Sequence, residues 1–419
     1  MKHGYFICLL LCFTTFAVGP AQAQTETVLH SFQGSPGDGG YPLAGLVFDK
    51  EGNLYGTTDG GGQFNSEYCD FGCGTVFEVT SASKEKVLFN FGGYSGDASY
   101  PGYFSNLVFG KKGNLYGTTG GGGAYNQGTV FELAADGTEK VLYSFQGPPA
   151  DGAGPDGGLV FDKKGNLYGT TSGGGAYNQG TVFEITAAGA GSVVYSFGSQ
   201  PEDGNWPEGP LVFDKEGNLY GTTSQGGGST NCNAVNSFGC GTVFKLAPDG
   251  TEKVLYAFQG PPADGAFPLA GVIFDRKGNL YGTTYSGGSS TNCNAVNSFG
   301  CGTVFKLAPD GTEKVLYSFQ GPPADGSFPV GGLVFDKKGN LYGTNSDYAF
   351  QAPELGGTVF EITKADKEKV LYFFCSQPGC TDGYAPLGAG VIFDKEGNLY
   401  GTTDGGGEYS QGVVFEVTP

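Results

Sequence analysis

The residues with chemistry to offer in this chain recur seven times over. An aspartate returns as Asp38, Asp97, Asp151, Asp203, Asp264, Asp325 and Asp382. It is usually followed by an aromatic residue and a proline, as in Tyr41-Pro42, Tyr100-Pro101, Trp206-Pro207, Phe267-Pro268 and Phe328-Pro329. Carboxylates beside aromatic faces suit a sugar, whose hydroxyls donate to the oxygens while its C–H groups meet the ring, and clustered carboxylates suit calcium. The same spacing has a plainer reading, in which the aspartate caps a turn and the aromatic wedges between units. The segment "AYNQG" (Tyr125 to Gln127, Tyr177 to Gln179), echoed by Tyr409 and Gln411, sets a tyrosine beside amides. That pairing suits a hydroxyl-rich ligand, or a compact loop folded around a partly buried tyrosine.

Catalysis needs an asymmetric site, so catalytic residues in a repetitive chain should show as departures from the repeat. The departures are "GNWPEG", with the single tryptophan Trp206 and Glu208, "YPGYFSN" at 100–106, and "NSDYAFQAPELG" at 345–356. Asp203, Glu208 and Glu354 are the carboxylates from which a glycosidase pair would be drawn, and a calcium-assisted lactonase is the other option. Histidine triads and zinc–histidine sites are excluded, because past the leader only His30 remains, where sister repeats mostly have tyrosine. No catalytic residue, metal ligand set or organic cofactor is assigned; calcium is the one ion considered. The favoured reading is a binding module for extracellular polysaccharide or a cell-surface partner. A hydrolase, glycosidase- or lactonase-like, using these loop carboxylates with or without calcium, and a purely structural or adhesion protein are the alternatives.

Positioning these residues falls to a repeated unit. The hexapeptide "GNLYGT" occurs seven times, with its tyrosine at Tyr55, Tyr116, Tyr168, Tyr220, Tyr281, Tyr342 and Tyr400. Each unit reads as four short strands, of the types "GLVFD", "NLYGTT", "GTVFEL" and "KVLYSF", rich in β-branched and aromatic residues and bounded by Gly, Pro or Asp. Asp49, Asp162, Asp214, Asp275, Asp336 and Asp394 of "FDKKGN" read as hairpin caps. The last unit stops at "GVVFEVTP" without a fourth strand, while the chain opens with "TETVLHSF", a near copy of "TEKVLYSF". These observations predict an all-β, seven-bladed β-propeller over 24–419, with residues 27–32 completing the last blade.

The first residues carry Lys2, an apolar run and Ala21-Gln22-Ala23, the layout of a signal peptide over 1–23. Cysteine usage agrees with export. Beyond the leader, eight cysteines fall in four close pairs: Cys69 with Cys73, Cys232 with Cys240, Cys293 with Cys301, and Cys375 with Cys380. They read as local disulfides. A formal charge of −19 repels phosphate backbones, so nucleic acid is not an expected partner.

The ordered pattern "DG-x-aromatic-P … LVFD-x-x-GNLYGTT-x-GG … GTVFE … KVLYSF" resembles the GloVer, or choice-of-anchor, tandem-repeat family across essentially all of 24–419. The resemblance implies an exported bacterial repeat protein, often held at the surface by a C-terminal anchor. Here the sequence given ends at Pro419 just after a strand, so release to periplasm or medium, with no membrane anchor, is the expectation. In a propeller the second-to-third and fourth-to-first loops share one face. The long, variable, cysteine-bearing loops of this chain therefore converge on that face, which is where binding groups are expected.

Overall fold

The computed structural model describes residues 25–419 except 64–68, 70, 95, 103, 233–238, 294–298, 348–355 and 389. The expected signal peptide at 1–23 and Glu354 lie outside the described residues. Seven four-stranded antiparallel sheets follow one another along the chain, each in the order of its sequence. In the second blade these strands are Val108–Phe109, Leu115–Thr119, Thr129–Leu133 and Glu139–Ser144, and the sister blades repeat the pattern. The innermost strand is shorter than "GLVFD" suggested, because only its Val-Phe (or Ile-Phe) pair stays in the ladder. The preceding Leu46 turns into the core and the following Asp49 caps the hairpin.

The seventh sheet is completed from the other end of the chain. Thr25–Ser31 pairs with Val413–Thr418, from Thr25 opposite Thr418 to Ser31 opposite Val413. This borrowed strand carries a bulge between Val28 and His30, the counterpart of the bulge between Val141 and Tyr143 in the second blade. It therefore reproduces the local geometry of an ordinary fourth strand, two residues longer at its start than 27–32.

What joins the blades explains the motif. The phenylalanine ending each "KVLYSF" meets the "GTVFE" phenylalanine of the next blade edge to face, with ring centroids 4.8–5.2 Å apart at all seven seams. The ring of the latter lies over the glycine of "LYGT", where a Cβ would stand 2.6–2.8 Å from the ring tip. Only glycine fits. The tyrosine of the same hexapeptide meets the innermost-strand phenylalanine of the following blade at 5.0–5.4 Å. Each blade thus buries aromatic surface only against its neighbours, and the interaction closes only in a ring.

The disulfides form as paired in the sequence, each inside its own loop. Cys69 is bonded to Cys73, Cys232 to Cys240, Cys293 to Cys301 and Cys375 to Cys380. The first three bridges are buried in second-to-third loops. Cys232 and Cys240 pack on Gly260, and Cys293 and Cys301 on Gly321, with a Cβ at either glycine reaching sulfur at 2.9–3.1 Å. The long loops are thereby pressed onto the fourth-to-first loop of their own blade. Cys73 also serves the seam, since its carbonyl accepts from Tyr100 N at 3.0 Å. The fourth bridge differs in place. Cys375 and Cys380 lie in a fourth-to-first loop and are only partly buried, and the Cys380 carbonyl accepts from Gly383 N and Gly407 N.

Ring closure by Thr25–Ser31 generates a prediction. Deleting residues 24–33 exposes the edge of Val413–Thr418 and removes Phe32 from its seam with Phe77. The shortened protein is expected to lose its single cooperative thermal transition and to aggregate. Unchanged melting by circular dichroism, with unchanged solubility, contradicts the closure.

Candidate functional site

The seven recurring aspartates are not a ring around a channel. Each is buried and ties its own turn. Asp151 Oδ2 accepts from Tyr143 Oη and Gln146 N while its Oδ1 accepts from Gly152 N. Asp203 accepts from Tyr195 Oη, Gly198 N, Ser199 N, Ser199 Oγ and Gly204 N. A carboxylate so fully engaged has no lone pair directed to a ligand, so Asp203 leaves the candidate site. Asp38 is held likewise by Gln33 N, Gly39 N and His30, which replaces the tyrosine of sister blades.

The aromatic-proline pair is also a seam device, with one exception. Each proline packs on the glycine before the third strand of the preceding blade; Cδ stands 2.4–2.8 Å from that glycine's virtual Cβ. Tyr41, Tyr100, Trp206, Phe267 and Phe328 all hold φ between 57° and 59°, a left-handed conformation costly for a bulky residue. Their backbone N–H groups donate across the seam, Trp206 to Gln179 and Phe267 to Cys240 at 2.9 and 2.8 Å. Phe328 is wholly buried and stacks on Tyr285 at 4.9 Å, so it cannot meet a ligand. Tyr41, Tyr100 and Phe267 are half-buried. Trp206 stands apart with 39% of its surface exposed.

The second departure in "GNWPEG" lies deeper. Immediately after the proline, most repeats carry an apolar residue. Leu43, Leu269, Val330 and Leu387, with Phe104, Ala270 and Ala385, come from five different repeats yet form one apolar cluster. Residues of so many blades meet only where the ring converges, so this cluster plugs the axis. In the third and fourth repeats the same position is Asp156 and Glu208. At this position two carboxylates therefore join four aliphatic side chains, with Gly102 in the second repeat.

Two further carboxylates face them, from the position after "LYGTT". Burial, then the charges of Asp404 and Asp156, raise Asp59 to about 6; burial raises Asp404 to about 6. Glu208 is pushed up to about 7 by burial and then by Asp156, partly offset by Ser224. Asp156 is raised by burial as well. All four remain partly open to solvent, as groups lining a crevice do. A serine holds each of the central pair: Ser172 Oγ donates to Asp156 Oδ2 at 2.8 Å, and Ser224 Oγ reaches Glu208 Oε1 at 3.3 Å. Ser224 Oγ is also 3.2 Å from the backbone carbonyl oxygen of Trp206, so one hydroxyl ties the Trp206 backbone to the carboxylate of Glu208. Gly154 stands where sister repeats carry an aromatic, which leaves no ring beside Asp156.

The sequence drew attention to Trp206 and Glu208 but passed over Asp156, Asp59 and Asp404. The signal was present. Aligning the seven copies on the proline sets "PD" and "PE" against "PL" and "PV". The "AYNQG" loops are compact, with Asn126 and Asn178 Oδ1 capping Gly122 N and Gly174 N, yet Tyr125, Tyr177 and Tyr409 are about half exposed. Among the described residues, one trio could hold a metal ion: His30, Asp38 and Glu85, with ligand atoms within 4.8 Å. Asp38 is already saturated there, and the trio is the His30 version of the Tyr–Asp contact in other blades.

A seven-bladed propeller with an acidic crevice beside an apolar axial plug is the class that this geometry defines. The chain belongs to the Gloeobacter/Verrucomicrobia repeat family, whose model matches residues 14–235 and 232–419. Among solved structures it is similar to the extracellular domain of a hybrid two-component system from B. thetaiotaomicron, with 15% identity over 94% of this chain and a TM-score of 0.52. The extracellular domain of a one-component system from the same organism aligns at 11% identity over 94% of this chain, with a TM-score of 0.56. The chain spans 41% and 40% of those two chains, and at such identity the likeness shows the fold alone. A gluconolactonase from Xanthomonas campestris matches more loosely, with 17% identity over 73% of this chain and 82% of that one and a TM-score of 0.39. No curated protein matches. Among the described residues no helix is long and apolar enough to cross a membrane.

The seams carry a second set of displaced acids. Glu26, Glu85, Glu139, Glu252, Glu313 and Glu368 each sit against the capping aspartate of the preceding seam, and each leaves one buried Oε1 unpaired. Burial first, then that aspartate, raises every one to about 7. A folded-state pKa above the unfolded value means that the fold binds extra protons. The resulting stability is full below about pH 4.5 and is lost as pH rises through 7. The melting temperature is therefore expected to rise from pH 8 to pH 5, with Glu85→Gln flattening the slope. A flat or opposite profile contradicts the arrangement.

Proposed function

We propose that the protein is an exported ligand-binding module whose loop face takes a hydroxyl-rich ligand, an extracellular polysaccharide or the glycan of a cell-surface partner. Export is supported by the disulfides, which persist in oxidising compartments, and by the fold shared with extracellular domains. The observation that carries the binding reading is the exposed ring of Trp206 two residues from the partly buried Glu208, whose carboxylate Ser224 ties to the Trp206 backbone. A tryptophan in a left-handed conformation, left half in water, contributes little to folding there and leaves its ring free for the C–H face of a sugar. Glu208 and Asp156 accept hydrogen bonds from hydroxyls, and their placement at a position that is aliphatic in four sister repeats is a stability cost that a binding role accounts for.

One observation favours a second reading. A Glu208 that is protonated near neutral pH beside a second carboxylate is the state required of a general acid in glycoside hydrolysis. Glu208→Gln then abolishes product formation while retaining binding, measured by chromatography of the digested glycan.

Because Trp206 is the single tryptophan, intrinsic fluorescence reports on this site alone. A glycan panel titrated into the mature protein is expected to contain members that shift its emission. Trp206→Ala abolishes that binding and costs under about 1 kcal/mol, the range of a surface substitution. Repeating the titration with EDTA shows whether calcium takes part. Emission unmoved by every glycan, or a Trp206→Ala loss of about 3–5 kcal/mol as for a buried ring, defeats the reading.

The same geometry predicts a gain of stability from loss of function. Glu208→Leu restores the residue that Leu43 and Leu269 represent in sister repeats. At pH 8 it is expected to stabilise the fold by about 2–3 kcal/mol, from the displaced ionisation of Glu208, while removing ligand binding. Denaturant titrations of both proteins measure it.

A further inference from the structure

The hairpin face, opposite the site above, holds a crevice of about 770 Å³ between the fifth and sixth blades. In a chain of net charge −19 its lining is basic. The fifth blade contributes Arg276 and Lys277 from a hairpin turn and Lys306 and Lys314 from its strands. Lys337, Lys338 and Lys364 come from turns of the sixth blade. Against these seven cations stand three carboxylates, Asp275, Asp336 and Asp366. Roughly a third of the 22 basic residues of the chain therefore line one crevice, among them Arg276, its single arginine.

The carboxylates do not neutralise it. Asp275 and Asp336 are consumed by their own turns, each accepting from the asparagine four residues on, through backbone N and Nδ2. Asp366 pairs with Lys314, the one ion pair in the crevice among the described residues. Lys306 replaces the glutamate of most sister blades, an exchange that Lys245 shares in the fourth blade. Its counterparts Glu78, Glu132 and Glu184 accept a hydrogen bond from the tyrosine of their own blade at 2.7–3.0 Å. Lys306 instead hangs over the face of Tyr281, with Nζ 5.8 Å from the ring centroid. Lys277 and Lys338 stand where the first, fourth and seventh repeats carry Glu51, Glu216 and Glu396 and the second and third carry Lys112 and Lys164.

We propose that this crevice is an anion site that binds the carboxylates of an acidic polysaccharide, such as a run of uronic acids. A guanidinium fork and several unpaired ammonium groups match sugar carboxylates, and Leu316, Asn279 and Thr363 offer the mixed apolar and hydroxyl-compatible wall that a pyranose needs. Nucleic acid fits less well. Tyr281 and Phe335 meet edge to face on the seam at 5.1 Å and Lys306 stands over Tyr281, so neither is an exposed ring for a base to stack on. The site is independent of the loop face, and its residues are untouched by the variants that test that face.

The repeats supply well-behaved test variants. Lys306→Glu and Lys338→Glu each install the residue that sister blades carry, and Lys306→Glu gives Tyr281 the acceptor found at Tyr55, so both are expected to melt no lower than the parent. Calorimetric titration with oligogalacturonate at low salt is expected to show binding that weakens as salt rises. Each variant should weaken it at least tenfold. Lys245→Glu, which makes the same exchange in the fourth blade outside the crevice, leaves it unchanged, and a neutral maltooligosaccharide does not compete. The proposal is overturned if oligogalacturonate does not bind, if Lys245→Glu weakens binding as much as Lys306→Glu does, or if single-stranded DNA binds as tightly.

Discussion

The contact on which this structure depends is a phenylalanine of one blade set edge to face on a phenylalanine of the next, over a glycine. No blade can complete it alone. The ring that ends the fourth strand has its partner only in the following unit, and the partner ring needs the bare glycine of "LYGT" beneath it to lie flat on the second strand. A side chain at that glycine would lift the ring and open the seam. The hexapeptide that marks the repeat in the sequence is thus the footprint of one packing event made seven times, and the chain's first strand is needed because Phe32 supplies the last of them.

Around that constraint, most recurring polar residues are committed to holding loops in place. The aspartates that looked available for sugar or calcium spend their lone pairs on backbone amides and a tyrosine hydroxyl, and the prolines brace the preceding blade. Function has to live where the repeat is broken. Asp156 and Glu208 break it at the axis, where they stand in for aliphatic residues, and Trp206 breaks it at the rim. Lys306 breaks it on the other face, where a glutamate gives way to a lysine. In each case the exchange forgoes packing or a hydrogen bond that sister blades make, which is the pattern expected when a residue is kept for a ligand rather than for the fold.

The charge distribution follows the same division. Carboxylates gather at the axis and along the seams, where burial holds many of them above their ordinary pKa, so the fold is bound to protons across the neutral range. Seven cations line one crevice between two blades. On the functions proposed for this protein, hydroxyls are bound at the loop face and anionic groups at the hairpin face.

The architecture was legible in the sequence because it is made of local, repeated signals. Strand periods, glycine-bearing turns, close cysteine pairs and the match of "TETVLHSF" to "TEKVLYSF" each speak for themselves within a few residues, and together they leave a closed ring of seven as the consistent answer. The candidate site was legible only at Trp206 and Glu208, which are unlike their neighbours in type. Asp156, Asp59 and Asp404 were not, because an aspartate in a glycine-rich loop looks the same whether it caps a turn or faces the axis. Which of the two it does depends on contacts between units more than a hundred residues apart. Only the tertiary structure brings Leu43, Leu269 and Leu387 to one point and so reveals what Asp156 and Glu208 replace at the equivalent place in their own repeats. It also decided that Phe328 is buried and Trp206 is not, since exposure is set by what the neighbouring blade places against a ring, here Tyr285 against Phe328, and the local sequence does not encode it.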